Sequence, residues 1–145
     1  MNLPICSELK ELSIPFFSKY SDFVEALDSI DLAVIVSPIH FHAIQTIDAL
    51  KKGCNVLLDK PLAGNIAQAE QILKTAKDTE KWVMVGYQWS FSKAIRSLKE
   101  DLIAGKFGKV QRAKTLVFWP RGYDYYARNN WTGKQVNEDG LVIND

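Results

Sequence analysis

Two rhythms of apolar residues alternate along the chain. Leu32 to Val36, Val56 to Leu58 and Trp82 to Val85 are short runs of consecutive apolar positions, and such runs predict strands buried on both faces. Between them the spacing changes to three and four. Ala43, Ile44, Ile47 and Leu50 recur on one face of a predicted helix, with Lys51 and Lys52 in its last turn and Gly53 just beyond. Ala69, Ile72, Leu73 and Ala76 repeat the pattern in a second helix, opened by Asn65 and Gln68 as a capping box. Strand and helix alternating through short connections predict a parallel sheet with right-handed crossovers, the doubly wound α/β arrangement.

The flanks are less regular. Leu9 and Leu12 stand at helical spacing behind Ser7, and Ile14 to Ser18 predicts a short strand with Pro15 near its start. Ser21 or Asp22 is the expected cap of a short helix presenting Phe23, Ala26 and Leu27 and ending near Asp28. After Gly86 comes an aromatic, amide-rich connection, Tyr87 to Phe91. Ser92 then caps a helix carrying Ile95, Leu98 and Leu102, which Gly105 closes. Lys109 to Trp119 predicts a long strand with one face toward solvent. A boundary near residues 87–92 divides the chain into 1–88 and 89–145. The long loop from Pro120 to Asp139, crowded with aromatics, is expected to be functional.

Composition narrows the classes of function. The 145 residues suit one ordinary domain, 47% apolar and 24% charged. A net charge of +1, without a basic stripe, argues against nucleic acid as a partner. No apolar run approaches the roughly 20 residues of a membrane span. Glu8, Lys10 and Glu11 stand where a secretory signal would be apolar, so a cytoplasmic protein is expected. Cys6 and Cys54 lack disulfide or zinc spacing and read as free thiols.

Ligands of open α/β sheets bind outside the carboxyl ends of the strands, which directs attention to Asp59-Lys60-Pro61 behind the second strand. A partly buried Lys60 there could hydrogen-bond a substrate hydroxyl or take part in proton transfer. His40 and His42 open a helix. Residues two apart do not share a helix face, so packing, or for His42 contact with a ligand, is expected ahead of a metal. Gly105 to Lys109 follows a helix and reads as its stop. No G-x-G-x-x-G occurs.

Four segments, Ser37-Pro38-Ile39-His40-Phe41-His42, Ala49-Leu50-Lys51-Lys52-Gly53, Val56-Leu57-Leu58-Asp59-Lys60-Pro61 and Val85-Gly86-Tyr87-Gln88, together resemble the Gfo/Idh/MocA oxidoreductases, with their T-P-N-x-x-H motif, A-L-x-x-G-K-H-V helix and strand, and E-K-P signature. The resemblance runs from about Ile14 to the last residue. It implies NAD or NADP as cofactor and hydride transfer to or from a sugar, cyclitol or related polyol. It also implies a Rossmann-type sheet ending near residue 88, then the start of an α/β substrate domain at 89–145.

Carried over, Lys60 is the lysine that contacts substrate and assists proton transfer, and Asp59 takes the place of a ribose-binding glutamate. Ser37, Pro38, His42 and Gln88 fall beside the cofactor. Apart from these matches, the aromatic loop, especially Arg121, Tyr125, Tyr126 and Trp131, is expected to help bind a polyhydroxylated substrate. Asp145 resembles the aspartate of a D-x-x-x-H motif whose histidine would lie four residues on. Asp59 is one methylene shorter than glutamate, Ile39 replaces an asparagine, and Ser90 stands where an arginine often occurs. The expected picture is of an enzyme portion lacking the first β-α-β unit and most of the second domain, or a naturally truncated homologue, homo-oligomeric in its full-length form. The alternative from another class is a non-catalytic interaction or regulatory module that has lost cofactor binding.

Overall fold

A computed structural model of the chain describes residues 12, 14–26, 30–129 and 131–136. Helix α1 (Tyr20–Glu25) leads into strand β1 (Leu32–Ile35), helix α2 (Ile39–Lys51), strand β2 (Asn55–Leu58), helix α3 (Ile66–Asp78) and strand β3 (Val83–Val85). The strands are parallel in the spatial order β1-β2-β3, with Ala33 opposite Val56 and Val56 opposite Val83. This is the alternation the apolar rhythm predicts. The ladder runs on past the strand ends, where Asp59 N–H donates to Ile35 O (2.8 Å) and Gly86 N–H to Leu58 O (2.7 Å).

The expectation of two buried faces fails. Ala33 and Ile35 are buried, but Leu32 and Val34 are 43% and 60% exposed. The physical cause is that α2 and α3 pack against each other and α2 covers β1 and β2, leaving alternate residues of β1 pointing away from the helices. The core joins Ala33 and Ile35 to Leu50, Cys54, Val56 and Leu58. Burying Leu50 and Leu58 completely contributes about 2 kcal/mol each.

Helix α2 is rotated by about one residue from its expected phase. It buries His42, Ala43, Thr46, Ala49 and Leu50, leaving Ile44 57% exposed. Two polar residues in the inward stripe misdirect a reading that follows hydrophobicity alone. Gly53 ends the helix at φ +84°, where a side chain would be strained. At α3 the cap is as expected: Asn65 Oδ1 accepts from Gln68 N–H (2.9 Å), and Gln68 Oε1 reaches back to Gly64 N–H (3.1 Å), one residue earlier than in the standard box. Ile72 is its buried residue, while Leu73 is exposed.

Other expectations are corrected. Residues 14–17 form no strand. Lys19 occupies the cap position of α1 without a side-chain bond, and Ser21 instead donates to Asp22 (3.0 Å). Lys109 to Trp119 is not a strand, because no described neighbour offers it a ladder. Helix α4 (Lys93–Ile103) has its Ser92 cap (Oγ to Ile95 N, 3.4 Å), yet Ile95, Leu98 and Leu102 stay exposed. It contacts mainly the 3₁₀ turn Gln88–Phe91 before it. The loop after Pro120 contains a short helix, α5 (Tyr123–Ala127). Leu9, Leu27 and Asp28 lie outside the described residues, as does Cys6. Cys54 is a buried free thiol. Among the described residues no helix is long and apolar enough to cross a membrane.

Candidate active site

All three strands end on one side, and the connections beyond them assemble the site. After β1 come Ser37 and Pro38; after β2, Asp59, Lys60 and Pro61; after β3, Gly86 and the turn holding Gln88. Pro38 serves as the cap residue of α2, and Ser37 Oγ donates to Gln45 on that helix. Asp59 and Lys60 are exposed. Asp59 Oδ1 accepts the Lys60 N–H (2.9 Å), which fixes the carboxylate over the start of the turn. The Lys60–Pro61 peptide bond is cis.

His42 stands behind this surface. It is 1% exposed, with Nδ1 2.7 Å from Pro61 O and Nε2 2.8 Å from Ser37 O. A neutral ring donates to one of these carbonyls and an imidazolium to both. The ring lies between the end of β1 and the turn after β2, with a backbone carbonyl in front of each nitrogen. The structure therefore gives it the geometry of a brace, without a ring nitrogen directed at a ligand.

A cavity of about 410 Å³ opens beside the strand ends, lined by Lys60, Gln88, Trp89, Trp119 and Arg121, with Tyr87 and Ser90 completing the wall. The Arg121 guanidinium carbon lies 4.8 Å from the Trp119 ring centre and 4.7 Å from that of Tyr125, and Arg128 lies 4.2 Å from Tyr125. The Trp89 and Trp119 rings meet edge to face, 6.5 Å apart. Lys60, Gln88 and Arg121, three of the expected residues, thus come together.

The others lie farther back. Tyr125 supports Arg121, and Tyr126 packs edge-on to Tyr125 (5.3 Å). Trp131 meets the His40 ring at 6.5 Å, bringing the aromatic loop to the start of α2. Asn129 Oδ1 holds that loop by accepting from Trp131 N–H, Thr132 N–H and Thr132 Oγ (3.1, 2.7 and 2.6 Å). Asp145 lies outside the described residues. Sequence reasoning missed Trp89 and Trp119 as lining residues; the signal was the aromatic density of residues 87–91 and 118–119, read as a connection and a strand. A second hollow, of about 400 Å³, lies against β1 and is walled by Phe17, Phe23, Val34 and Val36. Lys19, Tyr20, Ser37 and Gln45 also line it, so Ser37 faces this hollow and not the Lys60 cavity, and Lys19 is the one charged group among its described lining residues.

The sequence pattern of an oxidoreductase family with an NAD-binding Rossmann fold, Gfo/Idh/MocA, matches residues 6–87. The chain belongs to this family. A 4-carboxy-2-hydroxymuconate-6-semialdehyde dehydrogenase of a Sphingobium species is 29% identical over 115 residues, covering 77% of this chain and 36% of that protein. Among solved structures, the myo-inositol 2-dehydrogenase of Lactobacillus plantarum superimposes with a TM-score of 0.62 at 27% identity, over 70% of this chain and 30% of that one. The WlbA dehydrogenase of Bordetella pertussis, crystallised with NADH and UDP-GlcNAcA, shares the fold with a TM-score of 0.80 at 24% identity, over 88% of this chain and 37% of that one. The chain thus spans about a third of the length of such Gfo/Idh/MocA relatives.

Proposed function

We propose that this chain carries the strand-end site of an NAD(P)-dependent dehydrogenase acting on a sugar, cyclitol or related polyol. The observation that carries the reading is the position of Lys60: it stands two residues past the middle of the three described strands and lines a cavity with Gln88, Trp89, Trp119 and Arg121. Indole faces and amide groups suit a ring bearing hydroxyls.

The donor set fits the nicotinamide end of a dinucleotide. Asp59 presents an exposed carboxylate, the natural acceptor for ribose hydroxyls, beside an ammonium at the end of the middle strand. Gln88 lines the Lys60 cavity, whereas Ser37 lines the hollow against β1, and His42 faces the carbonyls of Ser37 and Pro61; the family resemblance is what assigns Ser37, Pro38 and His42 to the cofactor side. The diphosphate end has no comparable support, since these 145 residues contain no glycine-rich G-x-G-x-x-G turn. The bound cofactor supplies the hydride acceptor or donor. Lys60 orients the substrate carbinol hydroxyl and carries its proton. Asp145, with the histidine that the family motif places four residues further on, extends the relay. The proposal includes a cytoplasmic, homo-oligomeric enzyme, to be checked by cell fractionation and light scattering of the full-length protein.

The deciding experiment measures turnover of the full-length protein on a polyol panel with NAD and NADP. Lys60→Ala should lower kcat by about 10² to 10⁴-fold, the range of a general acid or base. Wild-type kcat in that variant would sink the reading.

A further inference from the structure

Resting on the dehydrogenase reading of the Lys60 cavity, we propose that its substrate is a ring-bearing hydroxy acid, with the carboxylate held by Arg121 and the ring laid against Trp89 and Trp119. The charge of the cavity motivates this. Lys60 and Arg121 both line it, and among the described residues no carboxylate is in its lining. Among the described lining side chains a neutral polyol would meet two cations, the Gln88 amide, the Ser90 hydroxyl, the Tyr87 phenol and the indole N–H groups, and would neutralise neither charge. A carboxylate neutralises one cation and leaves the other for the reacting hydroxyl.

Arg121 is prepared for that task. Two rings flank its guanidinium at 4.8 and 4.7 Å, and Arg128 stacks on the Tyr125 ring at 4.2 Å. Aromatic packing leaves the planar N–H fork available to an acceptor lying in its plane, and a carboxylate matches that fork with two parallel hydrogen bonds. Stacking also fixes the fork before the ligand arrives, so less side-chain freedom is lost on binding. The two indoles, edge to face at 6.5 Å, give the ring a flat wall and a stop. A volume of about 410 Å³ accommodates a six-membered ring with its substituents. A phosphate also accepts from such a fork, but its double charge would draw on Lys60 as well, the cation that the reacting hydroxyl requires.

The test uses the full-length protein, with NADH present for calorimetry and NAD or NADP for initial rates. Both measurements compare D-glucuronate with D-glucose, D-galacturonate with D-galactose, and glucose 6-phosphate as the phosphate arm. Each uronate should bind about 30-fold more tightly than its neutral partner, the worth of a charge-assisted bidentate contact. Arg121→Gln should bring that ratio close to one. Arg121→Lys, which keeps the charge and loses the fork, should restore only part of it, and circular dichroism verifies that both variants fold.

An equal affinity for acid and neutral sugar, a ratio that survives Arg121→Gln, tighter binding of glucose 6-phosphate, or no binding of any uronate overturns the proposal. The dehydrogenase reading fails separately. It falls if the full-length protein reduces neither NAD nor NADP with any polyol or acid, even where uronates bind through Arg121; it stands if neutral polyols are turned over without preference for the acid.

Discussion

His42 and Pro61, nineteen residues apart, are joined by a 2.7 Å contact from the imidazole Nδ1 to the backbone carbonyl. The other ring nitrogen holds Ser37 O, so one side chain from α2 sets the distance between two strand-end connections. His42→Ala should leave a cavity and at least one carbonyl without its donor in a buried place, costing about 3 kcal/mol. Urea unfolding measures this. A loss below about 0.5 kcal/mol would show that the brace is dispensable.

Asp59 and Lys60 are neighbours with separable duties. Asp59→Ala should raise KM for the dinucleotide about 10-fold in the full-length enzyme while leaving kcat closer to wild type than Lys60→Ala does, because it removes a binding acceptor and no proton carrier. Equal losses of kcat in the two variants would contradict that division.

The element order was legible because β1, β2 and β3 are short apolar runs separated by helix-length segments with Asn65 and Gly53 at their ends. The orientation of those elements was less so. His42 and Thr46 are polar yet lie in the buried stripe of α2, while Ile44 is exposed, so hydrophobicity pointed about one residue away from the true inward face. Lys60 was legible from its place after an apolar strand. Trp89 and Trp119, thirty residues apart, were not, because only tertiary folding brings a turn and an extended segment to one cavity.

Tyr20 gives the chain an alkaline signature. Burial, then the negative charge of Asp48 and the 3.1 Å hydrogen bond to it, push the phenol well above its ordinary range. In the unfolded chain it ionises near 10, as a free tyrosine does. Its contribution to stability is therefore complete below about pH 10 and is lost as pH rises toward the folded value. The stability difference between wild type and Tyr20→Phe should stay constant to about pH 9 and shift against wild type above pH 10. A constant difference to pH 11 would remove the Asp48 contact from the account.

Cys54 is fully buried, and burial is the main cause that raises its thiol pKa, with Asp31 adding to the shift and Lys81 opposing it. In a Cys6→Ser background, Cys54 should resist a disulfide reagent at pH 8 until denaturant unfolds the chain, since the thiolate is the attacking form. Rapid labelling of the folded protein would show that the core around Leu50 and Val56 opens readily.

Gly133 has φ +78°, and a Cβ there would come within 2.6 Å of Tyr126 Cδ1. Gly133→Ala should cost about 1 to 2 kcal/mol from backbone strain and displace the Tyr126 ring. Hydrogen exchange should quicken between residues 122 and 136 and stay unchanged in β2. Acceleration throughout the sheet would mean that the aromatic loop supports the core.

The exposed apolar side chains of Leu32 and Val34 on β1, and of Val36 just past its end, also govern how the polypeptide behaves in the laboratory. A strand that pairs only with β2 among the described residues keeps an unfilled row of backbone donors and acceptors beside its apolar side chains. Expressed by itself at high concentration, the 145-residue polypeptide is therefore inclined to stack strand on strand into insoluble material, and a charged substitution such as Val34→Lys is the economical way to keep it in solution.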